Sequence, residues 1–162
     1  MRSGVLVAGV VCAVLVGCGE PPVAVDMPQR RDDRHVADLA QALGEHTEDL
    51  DTRLRRMGAA GRDIVALTYE TAEASCGEAY RAANEFVRVW EADIAIVAVA
   101  RPGDFRSTES DRRRCLGVQP RDERAVPAAV REQIAEQIVP PLAADNQWHE
   151  AFVAAAEALA EQ

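Results

Sequence analysis

Apolar side chains recur three and four residues apart along most of this chain, and no other feature constrains its fold as strongly. Between Asp32 and Met57, the residues Val36, Leu43, Leu50 and Met57 follow one another at intervals of seven, with Leu39, Ala40 and Leu54 widening the stripe. That is the buried face of an amphipathic helix. Asp32 or Asp33 suits its N-cap, Gly44 weakens it locally, and the Gly-Ala-Ala-Gly run at 58–61 supplies the turn that ends it.

From Asp63 to Ala100 the same spacing returns in Tyr80, Ala83, Val87, Trp90, Ile94 and Val97, and less regularly upstream in Ala66, Tyr69, Ala72 and Cys76, with Gly77 as a kink or break. The run IAIVAVA at 94–100 reads equally well as a short buried strand, but a phase unbroken from Tyr80 points to helix. Residues 101–125 then lack any apolar period and carry seven Arg against five acids. They read as one long polar loop. Pro127 suits the first position of a helix, Val130, Ile134 and Ile138 form a short stripe, and Pro140-Pro141 stops it. Leu142 to Leu159 make a last helix with Trp148, Phe152, Ala155, Ala156 and Leu159 on one side. The expected fold is all-α: a small bundle of about four helices with one long loop. Aromatics are only 4% of the chain, so its core is expected to rest on Ala, Val, Leu and Ile.

The N-terminus has a different pattern. Met1-Arg2 is a short positive start, residues 5–16 are almost wholly apolar, and the run closes on Leu15-Val16-Gly17-Cys18. About twelve apolar residues fit the core of a secretion signal better than a bilayer span. The last four residues resemble the lipobox of bacterial lipoproteins. The resemblance covers residues 1–18 alone and implies cleavage between Gly17 and Cys18, with a diacylglyceryl group on the Cys18 thiol and further acylation such as palmitate. Two or more acyl chains hold a protein firmly to a membrane face. The expected organisation is therefore a signal peptide at 1–17, a lipidated Cys18 with a Pro-rich tether at 18–31, and a helical domain at 32–162. A packed N-terminal arm is the alternative to the tether. By resemblance to lipoprotein sorting, Gly19 after Cys18 is compatible with an outer membrane in a cell that has two.

Cys12 leaves with the signal and Cys18 takes the lipid, so the mature chain keeps Cys76 and Cys115. An extracytoplasmic address makes a Cys76–Cys115 disulfide the default pairing. Free buried thiols or a redox pair remain as alternatives, without the C-x-x-C spacing usual for the latter. A helix continuous from Cys76 to Ala100 would run about 36 Å. The return to Cys115 would then take roughly 2.6 Å per residue, within the reach of an extended chain. Either the loop is extended along the helix or the helix breaks near Gly77.

Chemistry is sparse. The net charge of -9, with 18 Arg and no Lys, excludes an ordinary nucleic-acid binder, whose footprint is strongly basic. Arg112, Arg113 and Arg114 beside Cys115 are a candidate anion site, because guanidiniums hold phosphate or carboxylate bidentately; the alternative is a solvated loop paired with acidic helices. Asp145 and His149 fall four apart, as two metal ligands on a helix face would, but no third ligand can be named. Glu45, Glu48, Asp49 and Asp51 read as a solvated acidic face. There is no C-x-x-C-H haem attachment motif, and Ser75, Ser107 and Ser110 stand in no nucleophile signature with His35, His46 or His149. No cofactor, metal or catalytic residue is assigned. The expected function is a non-enzymatic, lipid-anchored protein on the extracytoplasmic side of a bacterial envelope membrane. Its helical domain would meet a protein partner, with a small-ligand, anion or metal binder as the alternative and an enzyme as the remote one.

Overall fold

The computed structural model describes residues 22–162, so the expected signal peptide, the Gly17–Cys18 bond and Cys18 itself lie outside the described residues. The chain folds into an α/β domain, not the all-α bundle its spacing suggests. Four strands, β1 (Val36–Asp38), β2 (Ile64–Glu70), β3 (Ile94–Ala100) and β4 (Arg114–Pro120), lie side by side in that order. β1, β2 and β3 are parallel, with Ala66 opposite Val36 and Ile96. β4 runs antiparallel to β3, with Val118 opposite Ile96 and Cys115 opposite Val99.

The helices cover both faces. On one face, Ile64, Ala66, Ile94, Ile96, Ala98, Leu116 and Val118 pack against Leu50 and Leu54 of α1 (Thr47–Ala59) and Phe152, Ala155 and Leu159 of α5 (Trp148–Ala160). On the other, Val65, Leu67, Tyr69, Ala95, Val97 and Val99 pack against Ala79, Ala82, Ala83, Phe86 and Val87 of α2 (Cys76–Val89). Strands covered on both faces lose the period of two and read as continuous apolar runs. That is why β2 and β3 passed for helix: every residue of Ile94–Ala100 is buried, and the run happens to continue the phase of α2. Because α1 and α2 lie on opposite faces while the strands advance in one direction, the two parallel crossovers have opposite hands. A left-handed crossover is uncommon, since about 98% are right-handed.

Other boundaries move with the sheet. The expected helix 32–57 is a short edge strand, a loop, a 3-10 turn (Gly44–His46) and α1. Gly44 lies at φ +56°, a conformation open to glycine at low cost. The expected loop 101–125 contains β4, which takes the register of β3 because Leu116 and Val118 are buried with the core. Pro140-Pro141 does not stop the chain. α3 (Ala128–Gln133) runs through a π-helical turn (Ile134–Ile138) into α4 (Val139–Ala144). Neither proline has an N–H, so the carbonyls of Glu136 and Gln137 lose their ordinary helical donors. The chain responds by widening to five-residue spacing, with the Val139 N–H on the Ile134 carbonyl.

The N-terminal arm packs as a clasp along α2. Val23, Val25 and Met27 lie on the α2 core, the Ala24 N–H donates to Glu78 Oε1 at 2.8 Å, and Trp90 Nε1 donates to the Pro28 carbonyl at 2.6 Å. The described part of the segment expected as a tether is thus the packed alternative.

The Cys76–Cys115 disulfide is present, with a Cα–Cα distance of 5.0 Å. α2 begins at Cys76, so the break lies where Gly77 suggested it. Gly117 makes the approach possible: a Cβ there would sit 2.8 Å from the Ala79 backbone, so α2 can cross β4 this closely only over glycine. Among the described residues no helix is long and apolar enough to cross a membrane.

Candidate functional site

The most developed concavity lies beside the disulfide, at the free edge of β4. Its volume is about 580 Å³, within the ordinary range of small-ligand sites. One wall is the first turn of α2 with Cys76 and Tyr80; the other is the π turn and α4, with Glu136, Val139 and Ala143. Trp148 and Leu116 form the floor, and Ser110, Arg112 and Arg114 bring polar groups to it. The floor is buried, whereas Tyr80 stands 40% exposed on the lip. A π turn is a frequent marker of functional sites, and here it faces the cleft.

The two arginines are held in a particular way. Arg114 donates to the Ala143 carbonyl, to Asn146 Oδ1 and to the Asp104 carbonyl, and its guanidinium lies 5.5 Å from the Trp148 ring centre. Arg112 donates to the carbonyls of Ser107 (3.0 Å) and Ala144 (2.9 Å). Both therefore add donors to the last carbonyls of α4, of which Ala143 also accepts the Asn146 N–H at 3.1 Å, at the end where the helix dipole favours a cation. Every one of these acceptors is a neutral oxygen. Among the described residues, no carboxylate oxygen lies within 4.0 Å of the guanidinium of Arg112, Arg113 or Arg114. The Asp104 carboxylate, whose backbone carbonyl meets Arg114, is already committed: it accepts the Arg113 N–H at 2.6 Å and pairs with Arg101 at 3.1 Å. The Arg113 N–H, then the Arg101 guanidinium, hold Asp104 below its ordinary value against the effect of burial. Burial first, and Arg112 second, push Arg114 below the usual arginine value. Arginine ionises so far above neutrality that the group stays charged.

The sequence-predicted triad is thus divided. Arg112 and Arg114 reach the cleft, while the exposed Arg113 does not line it. Tyr80, Glu136 and Trp148 were missed as site residues. The Pro-Pro pair, unable to satisfy the helix before it, was the available signal for the wall.

The remaining candidates fall elsewhere. Asp145 is the C-cap of α4 and His149 lies in α5, so the two do not share a helix face; His149 Nε2 instead meets Asp49 Oδ2 at 2.9 Å. No group of three or more His, Cys, Asp or Glu among the described residues is arranged to hold a metal ion. Asp51 departs from a solvated acidic face: it is fully buried and accepts the N–H groups of His35 and Val36. Ser75 caps α2, accepting from the Glu78 N–H at 3.1 Å, and no histidine lines the cleft.

No family model matches the chain, and no curated protein matches it. Among solved structures, it is similar to the solution NMR structure of the N-terminal domain of a protein from P. gingivalis. The TM-score is 0.56 at 15% identity, over 78% of this chain and 82% of that one. That likeness concerns the fold alone.

Proposed function

We propose that this is a non-enzymatic extracytoplasmic lipoprotein, anchored through Cys18, whose domain binds an anion-bearing ligand in the cleft between β4 and α4. One observation carries this reading. Two guanidiniums are fixed at the cleft by neutral oxygens alone, so their positive charge persists unpaired in a protein of net charge -9. A phosphate or carboxylate gains charge-assisted bonds there without first displacing a competing carboxylate. The apolar floor favours a ligand with carbon beside its anion. The exposed large apolar side chains support this choice over an apolar protein-docking face. Leu39 follows β1, and Tyr80 and Val89 stand nine residues apart on α2, half a helical turn out of phase.

An NMR titration of the mature chain carrying Cys18→Ser, with inorganic phosphate and with glycerol 3-phosphate at millimolar concentration, tests the reading. Shifts centred on residues 112–116 and 143–148, lost in Arg112→Ala, are the expected result. No shift, or an unchanged response in the variant, overturns it. Incorporation of labelled palmitate that disappears in Cys18→Ser tests the anchor separately.

A further inference from the structure

We infer that the cleft is a headgroup site for anionic glycerophospholipid in the membrane that holds the protein. The inference rests on the anion reading and the Cys18 anchor above, and adds where the cleft stands relative to that anchor. The N-terminal arm runs parallel to α2. Its Pro28 meets Trp90 at the C-terminal end of the helix, and its Ala24 meets Glu78 in the first turn. The chain therefore leaves the domain at the end of α2 that builds the cleft wall. Cys76 and Tyr80 face the cleft four residues apart, while Glu78, between them, is turned about 200° away from Cys76 and holds the arm on the opposite flank. Arm and cleft are separated by the width of one helix, about 10 Å.

Six Cα-to-Cα steps separate Ala24 from Cys18. Fully extended, they span at most about 20 Å. A lipid on Cys18 consequently keeps this pole within about 20 Å of the bilayer surface, and the opposite pole, with Trp90, farther away. The pole at the membrane also carries the loop between β3 and β4, where Arg101 is paired with Asp104 and Asp111, while Arg112 and Arg113 have no carboxylate partner among the described residues. Glu136 is the carboxylate that lines the cleft. Set against Arg112 and Arg114, this one carboxylate leaves the described lining of the cleft net positive. A phosphodiester on Arg112 would place its glycerol and first methylenes over Trp148, Leu116 and Val139, and the cleft volume accommodates both parts.

The two tryptophans make the test internal. Single-tryptophan forms of the lipidated protein, Trp90→Phe and Trp148→Phe, are reconstituted into phosphatidylglycerol vesicles containing brominated acyl chains. Trp148 fluorescence is expected to be quenched and Trp90 fluorescence spared. The soluble Cys18→Ser chain is expected to sediment with phosphatidylglycerol vesicles and not with phosphatidylcholine. Arg112→Ala is expected to lower that binding at least tenfold, with Arg112→Lys retaining part of it. An unchanged circular dichroism spectrum and melting temperature show that these variants remain folded. Equal quenching of both tryptophans, or vesicle binding indifferent to the arginines, overturns the proposal. Phosphate shifts at the cleft without vesicle binding also overturn it, yet leave the anion reading standing; loss of both removes the two together.

Discussion

Two tryptophans at opposite poles are built into the same device with different charge accounting. Trp90 donates its indole N–H to Pro28 and receives Arg30 over its ring at 5.7 Å; Trp148 donates to Phe105 and receives Arg114 at 5.5 Å. Arg30 is also clamped bidentately by Asp63 at 2.8 and 3.0 Å, and His35 Nε2 joins the same carboxylate at 3.0 Å. Among the described residues, Arg114 has only carbonyls and an amide oxygen. The Arg30 clasp is complete in itself and closes the arm onto the domain. The Arg114 clasp shapes the protein but leaves its charge for something else. Residue type alone does not distinguish the two roles; the identity of the acceptors does.

The largest break in this comparison comes from the disulfide, which ties the open pole together. Closing a loop of 39 residues contributes about 4 kcal/mol on the chain-entropy account. Cys76→Ser/Cys115→Ser is expected to lose that much in urea unfolding, and hydrogen exchange should rise first in residues 101–116 while the Arg30 pole stays protected. Loss of protection at both poles together would show that they are not independent. Asp63→Ala comes next. It leaves Arg30 and His35 facing the space of a lost carboxylate that is only 29% exposed, and is expected to cost about 2–3 kcal/mol and free the arm to protease. Arg114→Met keeps the stem over Trp148 but removes donors to neutral acceptors. Its expected cost is smaller, about 1–2 kcal/mol, and it should loosen α4. If Arg114→Met proved costlier than Asp63→Ala, the charge at the open pole would be structural and the ligand reading would weaken.

What the sequence showed and hid follows the same physical lines. The apolar face of α5 was legible because one side faces the core and the other faces solvent: Trp148, Phe152, Ala155, Ala156 and Leu159 are all buried as their spacing implied, although the helix expected from Leu142 is broken at Asp145 and restarts at Trp148. The Cys76–Cys115 pairing followed from an expected address and from these being the two cysteines expected to remain after processing. β2 and β3 were not legible from period, because burial on both faces erases it. A local signal could have corrected the error: Ser75 and Glu78 have the spacing of a helix start, and a helix beginning there forbids one continuous from Asp63. Glu78 does not fold back on the cap in the usual way; Tyr69, Ala24 and Arg81 claim its carboxylate instead. Of the site, the arginine triad was visible as chemistry. The division of Arg112 and Arg114 from Arg113, and the cleft itself, depend on β4 and the π turn, which are tertiary.

Glu78 gives the smallest effect and the sharpest separation of arm from cleft. Burial pushes its carboxyl upward, but hydrogen bonds from the Tyr69 hydroxyl, the Ala24 N–H and Arg81 outweigh this and hold it below its ordinary value of 4.5. Burial, and then the bond to Glu78, push Tyr69 above its usual range, so it remains a donor. A carboxyl depressed in the folded state stabilises it fully above the unfolded value and loses that contribution as pH falls through the folded one. The arm is therefore expected to stay docked at neutral pH and to loosen only below about pH 4.5, seen as rising amide exchange at Ala24 before any change in α5. Glu78→Gln should make that exchange faster at neutral pH and flatten its response to acid. Because the Arg30–Asp63 clasp holds the arm's other end, Ala24 should be released while Trp90 keeps its bond to Pro28. Simultaneous release at both ends would mean that the arm is one cooperative unit, and that acid moves the whole arm rather than only the end nearest the cleft.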